Sequence, residues 1–350
     1  MKLIRTQDAA GHVLCHDITQ IIPGKYKGPA FKKGHVVMEE DIPVLLSIGK
    51  EHLYVWEKEE NMLHEDEAAE ILYRICAGAG MHPSDVSEGK IELIADRSGM
   101  LKIDRERLRA INMLGEMMIA SRHGDTPVRE GDRIAGTRVI PLVIEKEKME
   151  RAKEAGGDAP LFRIAPFVLK RAAVLATGSE VFHGRIRDGF TPVIEEKLRE
   201  YGVEVVFNEV FDDVPETLTE GCLRAIDAGA QMVFCTGGMS VDPDDRTPLA
   251  IKSTGARVVT YGAPVLPGAM FMLAYYEKRD PQGRDAVRIP IAGLPGCAMY
   301  ANRTIFDLVL PRLIADDEIL PGELAGLGEG GLCLQCAVCT YPNCGFGKGH

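Results

Sequence analysis

The sequence predicts an α/β fold in which a three-layer αβα domain with a mostly parallel sheet follows smaller β-rich α+β domains. Short apolar runs alternate with amphipathic helical segments over residues 170–315. Several of these runs end in glycine-rich turns, and 350 residues exceed what one domain usually holds. We therefore divide the chain into four parts, at residues 1–62, 63–168, 169–316 and 317–350.

The first two parts combine short strand patterns with two predicted helices. Residues 1–62 form a β-rich unit that ends in a strand at 53–56. Apolar residues at helical spacing predict a helix over residues 65–76. A second helix is expected over residues 104–121, with Asp104 as its N-cap, and residues 128–146 are expected to be β-rich again.

Strand and helix patterns alternate regularly after residue 170. Strands are predicted at residues 172–176, 203–208, 231–235, 257–261 and 287–292. Helices are predicted at residues 192–201, 215–228, 248–253 and 297–314. This alternation implies right-handed βαβ units and a largely parallel sheet that is covered on both faces.

Charge and hydropathy exclude several classes of protein. A formal net charge of -11 argues against a nucleic-acid partner, because such proteins need basic surface to replace phosphate counterions. No apolar stretch is long enough to span a bilayer, and the first residues lack a signal-peptide pattern. We therefore expect a cytoplasmic protein with no membrane partner.

Three glycine-rich loops are expected at the carboxyl ends of strands, where α/β sheets bind their ligands. Their residues are Thr177, Gly178 and Ser179; Thr236, Gly237, Gly238, Met239 and Ser240; and Gly293, Leu294, Pro295 and Gly296. Glycines let backbone N–H groups approach a phosphate closely. Each loop alone is also typical of an ordinary strand-to-helix turn, but together they predict a site for a phosphorylated ligand.

The order of these motifs resembles the molybdopterin-binding domain shared by molybdopterin adenylyltransferase, molybdopterin molybdotransferase and gephyrin. Asp188, before the next helix, and the segment 210–213, Val-Phe-Asp-Asp, belong to the same pattern. Residues 9–18 resemble the start of the molybdotransferase, which carries accessory domains before the pterin-binding one. The resemblance implies that the Thr-Gly-Gly loop holds the phosphate of molybdopterin or molybdenum cofactor, and that the protein is a homo-oligomer.

The favoured function is therefore that of a molybdotransferase-like transferase, which assists molybdenum insertion or cofactor delivery with molybdate as co-substrate. Family members usually carry Ser, Lys and Asn where this chain has Gly189, Ala269 and Cys297. Because the missing side chains could orient or neutralise substrate, binding is expected to survive these changes better than catalysis. Two alternatives stay open: a non-catalytic cofactor carrier or chaperone, and a nucleotide or pyrophosphate hydrolase of the amidase-associated type.

Acidic residues are expected around the same strand ends. The candidate catalytic residues are Glu180, Asp188, Asp242 and Asp245. Carboxylates beside an anionic ligand repel it unless a cation lies between them, which predicts Mg²⁺ and the positioning of molybdate. For residues 242–245, a solvated turn that caps the next helix is an equally open interpretation.

The tail contains four closely spaced cysteines. Cys333, Cys336, Cys339 and Cys344 are candidate metal ligands. The first three have the spacing of iron–sulfur ligands, whereas the fourth and its Gly/Pro-rich surroundings suit Zn²⁺ equally well. Four reduced thiols without a metal are the alternative. The family does not require this tail, so it hints at docking to a client molybdoenzyme.

Overall fold

A computed structural model describes residues 2–22, 24–55, 60–279 and 286–349. The chain forms two compact units. The first comprises Met1–Arg97, Lys102–Arg122 and Val128–Ile164, and the second Ser98–Leu101, His123–Pro127 and Ala165–His350. The four-part division made from the sequence is finer and stays a prediction.

The chain up to residue 165 forms short strands and four α-helices among the described residues. The strands are β1 Lys2–Arg5, β2 Ile18–Ile22, β3 Tyr26–Phe31, β4 His52–Val55, β5 Met62–His64, β6 Met81–Pro83, β7 Lys90–Ala95, β8 Gly99–Ile103, β9 Met117–Ser121, β10 Thr126–Val128, β11 Arg133–Val139, β12 Val143–Glu145 and β13 Phe162–Ala165. The helices are α1 Ile42–Ser47, α2 Glu65–Cys76, α3 Arg105–Asn112 and α4 Lys146–Gly156. The predicted strand at 53–56 is confirmed through Val55, and Trp56 lies outside the described residues.

Antiparallel pairing dominates the first unit. β1 pairs with β4, β2 with β3 and β5 with β12, while β6-β7-β11-β9 form a four-stranded antiparallel sheet. Helix α2 packs against β7 and β11. Its buried residues Ala68, Ala69, Leu72 and Cys76 lie on one helical stripe, which confirms the predicted helix.

The predicted helix at 104–121 is wrong beyond Asn112. Asp104 caps the helix as expected, because its side chain accepts a hydrogen bond from the Arg107 N–H at 3.0 Å. The chain then turns through Glu116, whose φ of 62° ends any helix, and enters β9. The Asn112 side chain bonds both backbone groups of Ile119 and fixes this return. Tertiary pairing with β11 therefore overrides the helical tendency of the Met- and Leu-rich segment.

The second unit contains one six-stranded sheet. Its strands are β14 Arg171–Thr177, β15 Glu204–Phe211, β16 Met232–Thr236, β17 Arg257–Tyr261, β18 Met272–Lys278 and β19 Val287–Leu294. Its helices are α5 Ser179–Phe182, α6 Thr191–Arg199, α7 Pro215–Asp227, α8 Thr247–Ser253, α9 Ile305–Ile314 and α10 Pro321–Gly326. The strand order is β15-β14-β16-β19-β18-β17, and the first four strands are parallel. Strand β18, which the sequence pattern missed, runs antiparallel between β19 and β17.

Both faces of this sheet are buried, so its strands form three layers with the helices. Val174 and Phe234 pack in a core cluster with residues of α6 and α9. Their neighbours Leu175 and Cys235 pack on the opposite face with residues of α7 and α8. Because strand side chains alternate between faces, burial of both faces gives nearly continuous apolar strands. The predicted αβα fold class is confirmed.

The predicted helix at 297–314 is interrupted. Gly296–Met299 form one 3₁₀ turn, and α9 begins only after Thr304. Thr304 accepts a hydrogen bond from the Phe306 N–H at 3.2 Å, while the Asp307 carboxylate accepts from the Thr304 N–H at 2.7 Å. This capping box starts a new helix there. Within the described ranges, no helix is both long enough and apolar enough to cross a membrane.

Glu65 makes the stability of the protein depend on pH. Burial raises the pKa of the Glu65 carboxyl to about 7, and the charge on Asp66 adds to this. The protonated form therefore stabilises the native state fully below pH ~4, and that contribution is lost as pH rises through about 7. We expect Glu65→Gln to be nearly neutral at pH 4.5 and to stabilise the protein by about 1–3 kcal/mol at pH 8. Urea unfolding at both pH values measures this, and an equal effect at both would contradict it.

Candidate functional site

The carboxyl ends of four parallel strands meet at one edge of the sheet in the second unit. Thr177 lies opposite Phe211 of β15, Ala176 lies opposite Thr236, and Thr236 lies opposite Leu294. All three predicted glycine-rich loops therefore leave the sheet at the same edge.

Thr247 ties the Thr-Gly-Gly loop to strand β14. The Thr247 hydroxyl donates to the Gly237 carbonyl at 2.9 Å, and its backbone N–H donates to the Gly238 carbonyl at 3.1 Å. The Thr177 hydroxyl lies 3.3 Å from the Thr247 hydroxyl and donates to the Thr236 carbonyl at 3.3 Å. The loop thus has a fixed conformation beside the start of α8.

A narrow cleft with a volume of about 10 Å³ opens beside this network, enough for one water-sized sphere. Its lining residues are Thr177, Asp212, Asp213, Val214, Pro215, Leu218, Arg246 and Thr247. The exposed Arg246 brings a cation to a cleft that otherwise carries two carboxylates. An anionic ligand at this edge would therefore meet one positive charge from the chain itself.

Two of the four predicted acidic residues belong to one electrostatic cluster around Asp213. The Asp213 carboxylate accepts a hydrogen bond from the Ser179 N–H at 2.9 Å. Burial raises the pKa of Asp213, and the Ser179 N–H opposes that rise. The charges of Asp212, Glu180 and Asp245 raise the pKa of Asp213 further. Glu180 and Asp245 thus share one electrostatic environment with Asp213, although no three acidic side chains of the described residues form a group that could hold one metal ion.

The other two predicted acids have local structural partners. Asp188 accepts hydrogen bonds from the N–H groups of Phe190 at 2.8 Å and Thr191 at 3.1 Å, so it orders the start of α6. The side chain of Asp242 accepts from the Asp244 N–H at 3.1 Å, in a turn of the kind that the sequence left open. A catalytic role for either residue stays a prediction.

The remaining loop residues differ in exposure. Met239, Leu294 and Pro295 are buried, and the sulfur of Met239 lies over Gly293. Gly178 and Ser179 are half-buried, while Ser240 and Gly296 are exposed. The buried side chains shape the loops, and the exposed or half-buried positions are the ones that a ligand can reach.

The sequence-based site list did not include Arg246 and Asp213. A signal for Arg246 was present, because it lies between Asp245 and Thr247, directly before a helix at a glycine-rich strand end. Asp213 lies in the segment 210–213 that the family pattern marked, but only the turn after β15 places its carboxylate against the Ser179 N–H.

The four tail cysteines line one cavity of about 370 Å³ in the same unit. Cys333 and Cys344 are half-buried against the core, whereas Cys336 and Cys339 are exposed. Within residues 2–22, 24–55, 60–279 and 286–349, no three His, Cys, Asp or Glu side chains form a group that could hold one metal ion. The predicted metal site stays a prediction.

Comparison with known families finds a match within the second unit. Residues 173–315 match the family described as a probable molybdopterin binding domain. This part of the chain is similar to the molybdopterin-binding family. The resemblance predicted from the three loops is confirmed, and residues 3–57 match a domain of unknown function.

Similar proteins include a molybdopterin molybdenumtransferase from Staphylococcus epidermidis, 24% identical over an alignment 292 residues long that covers 78% of this chain and 64% of that protein. A CinA-like protein from Mycobacterium avium is 28% identical over 120 residues, 34% of this chain and 28% of that protein. The chain thus spans 28–64% of the length of these relatives. The solved structure of the tungsten cofactor synthesizing protein MoaB from Pyrococcus furiosus covers 43% of this chain and 91% of its own, at 17% identity and a TM-score of 0.31.

Proposed function

We propose that the second unit binds molybdopterin or the finished molybdenum cofactor by its phosphate, and that the protein assists molybdenum insertion or cofactor delivery in the cytoplasm. The observation that carries this proposal is the hydroxyl network of Thr177 and Thr247, which fixes the Thr-Gly-Gly loop beside Arg246. The match of residues 173–315 to the molybdopterin-binding family supports the class of ligand.

Arg246 has a specific part in this proposal. The chain carries Ala269 where its family usually has a lysine, so that position supplies no charge for a phosphate. Arg246 lies at the cleft and can form two charge-assisted hydrogen bonds to phosphate oxygens. We infer that it replaces the missing cation.

The acidic cluster is proposed to hold Mg²⁺ when ligand is bound. Glu180, Asp213 and Asp245 offer carboxylate oxygens, the donors that Mg²⁺ prefers. A cation between them and the phosphate would relieve the repulsion that raises the pKa of Asp213. The same cation would position molybdate for transfer to the pterin dithiolene.

Two assays test the proposal. Purified molybdopterin is titrated anaerobically into the full chain, and binding is followed by calorimetry. The protein is then given molybdopterin, Mg²⁺ and molybdate, and an apo-molybdoenzyme reports on finished cofactor. Binding with insertion supports a transferase, whereas binding without insertion leaves the non-catalytic carrier. If the chain binds neither molybdopterin nor the finished cofactor, the proposal is wrong.

Replacing Arg246 should weaken ligand binding selectively. We expect Arg246→Ala to raise the dissociation constant for molybdopterin about 10- to 100-fold, the loss of roughly 1.5–3 kcal/mol from a charged hydrogen bond. Arg199→Ala is the matched control, because Arg199 is exposed on α6 and does not line the cleft. Calorimetric titration of both variants measures the effect, and equal affinities would remove Arg246 from the site.

The tail is proposed to hold Zn²⁺ or an iron–sulfur cluster and to contribute to docking of a client molybdoenzyme. Removing the tail is a poor test, because Phe346 is buried and the Tyr341 hydroxyl donates to the Asp307 carbonyl at 2.9 Å. Single cysteine variants are preferable since they leave this packing intact. The homo-oligomer expected from the family resemblance also stays a prediction.

A further inference from the structure

One large cavity lies where the C-terminal tail meets the segment before α9. Its walls come from residues 300–303 and from residues of the stretch 330–346. All four tail cysteines line it, although they are spread over twelve positions of the sequence. Four thiols around a single space are the arrangement that a metal centre requires.

The tail is anchored on both sides of the cysteines, so this is not a loose thiol-rich end. The Cys333 N–H donates to the Leu266 carbonyl at 2.8 Å at the start of the tail. At its other end the Gly347 N–H donates to the Gly330 carbonyl at 3.0 Å, and Phe346 is buried in the core. These contacts restrict how far the four sulfurs can move relative to one another.

The placement of the cysteines around the cavity favours one of the two metal centres that the sequence left open. A zinc ion bound by four sulfurs at about 2.3 Å requires neighbouring sulfurs about 3.8 Å apart. Among the described residues no three His, Cys, Asp or Glu side chains form a group that could hold one metal ion. The four cysteines instead line an open cavity of about 370 Å³. A polynuclear cluster spreads its thiolates around itself, so it suits this arrangement better than a single ion does.

The side chains around the cavity suit a negatively charged cluster. Arg303 lines the cavity together with Cys339, and the two side chains interact there. Its guanidinium is held by the Asp307 carboxylate at 2.7 Å and stacks over the Tyr341 ring at 5.1 Å. Leu332 and Phe346 supply apolar wall. A fixed cation and hydrogen bonds to ligand sulfur are the usual means by which a protein tunes an iron–sulfur cluster.

We propose that Cys333, Cys336, Cys339 and Cys344 hold one [4Fe–4S] cluster in this cavity, with Arg303 beside the Cys339 sulfur. Each thiol loses its proton when it binds iron, and the cluster assembles from two ferrous ions, two ferric ions and four sulfides, which gives the [4Fe–4S]²⁺ state without a further oxidant. The proposal deepens the metal site of the proposed function and does not depend on pterin binding.

Anaerobic reconstitution of the full chain with equal amounts of ferrous and ferric iron and with sulfide tests the proposal. We expect four irons and four acid-labile sulfides per chain, and a paramagnetic signal after reduction with dithionite. Cys336→Ser and Cys339→Ser should each lose at least half of the bound iron, and both sites are exposed, so folding should persist. Cys297→Ser is the control, because this thiol does not line the cavity and its iron content should stay at four. Circular dichroism checks the fold of each variant.

Two results would overturn the cluster. One zinc per chain without sulfide would leave the metal site standing but make it mononuclear, and absence of any bound metal would remove the site altogether. Titration of the same preparations with molybdopterin measures pterin binding directly, so loss of the cluster can be distinguished from loss of the pterin site.

Arg303→Gln provides a second test, because a purely structural role of Arg303 would leave the reduction potential of the cluster unchanged. Loss of a nearby positive charge disfavours the reduced, more negative cluster, so the reduction potential should fall while iron content is retained. An unchanged potential in a variant that still holds four irons would contradict the position of Arg303 beside the cluster.

Discussion

Asp307→Ala should destabilise the second unit by about 3–5 kcal/mol, because it removes the carboxylate that pairs with the buried Lys197 ammonium. The Asp307 side chain is only 3% exposed and accepts from the Lys197 ammonium at 2.6 Å. It also accepts from the Arg303 guanidinium at 2.7 Å and from the Thr304 N–H at 2.7 Å, so one change removes two ion pairs and a helix cap. Urea unfolding at pH 7 measures the loss.

Asp227→Ala is the matched control for this prediction. Asp227 pairs with Lys278 at 2.9 Å in the same unit, but its side chain is 77% exposed. Exposed pairs of this kind contribute about 0–1 kcal/mol, so the control should unfold at nearly the wild-type urea concentration. Asp307→Asn should lie between the two, since it keeps an acceptor for the Thr304 N–H but loses the charge. Similar midpoints for Asp307→Ala and Asp227→Ala would show that the buried pair is not formed.

Gly237→Ala should abolish molybdopterin binding and cost the second unit about 2–5 kcal/mol. Gly237 has φ +84°, and a Cβ atom there would lie 2.2 Å from the Thr177 carbonyl oxygen. Because that oxygen is backbone, the Thr-Gly-Gly loop must move away from β14 and break the contacts made by Thr247. Thermal unfolding measures the stability, and calorimetric titration with molybdopterin measures the binding.

Two control glycines separate the contributions at Gly237. Gly255 has φ +84° with no heavy atom within 4 Å of an added Cβ, so Gly255→Ala reports the backbone strain alone, about 1 kcal/mol. Gly296 has open space around it, and Gly296→Ala should change stability by less than about 0.5 kcal/mol. If Gly237→Ala resembled Gly255→Ala in stability and still bound molybdopterin, the close approach to Thr177 would have no functional meaning.

Much of the second unit could be predicted from local pattern, for reasons visible in its strands. Residues such as Val174 and Phe234 belong to segments buried on both faces, so the sequence marks them as strands wherever they pack. Helices α6 and α7 begin at Thr191-Pro192 and Pro215, which are local signals. Strand β18 has no comparable local signal at its start, and the sequence pattern did not predict it.

The two helix errors had different causes. Residues 113–121 include three methionines and one leucine, which favour a helix, yet β11 offers this stretch a strand partner. The start of α9 had a local signal that was missed, because Thr304 and Asp307 are three residues apart and form a capping box. Only the fold shows that the Asp307 carboxylate also pairs with Lys197 from another helix.

By itself the sequence determined the αβα class, the three glycine-rich loops and the resemblance to the molybdopterin-binding family, because apolar periodicity, glycine and proline act through neighbours along the chain. Only the tertiary structure placed Arg246 at the cleft and Asp213 within the electrostatic influence of Glu180 and Asp245. It also placed the four tail cysteines around one cavity. Charges and thiols act through distance in space, and the fold alone fixes that distance.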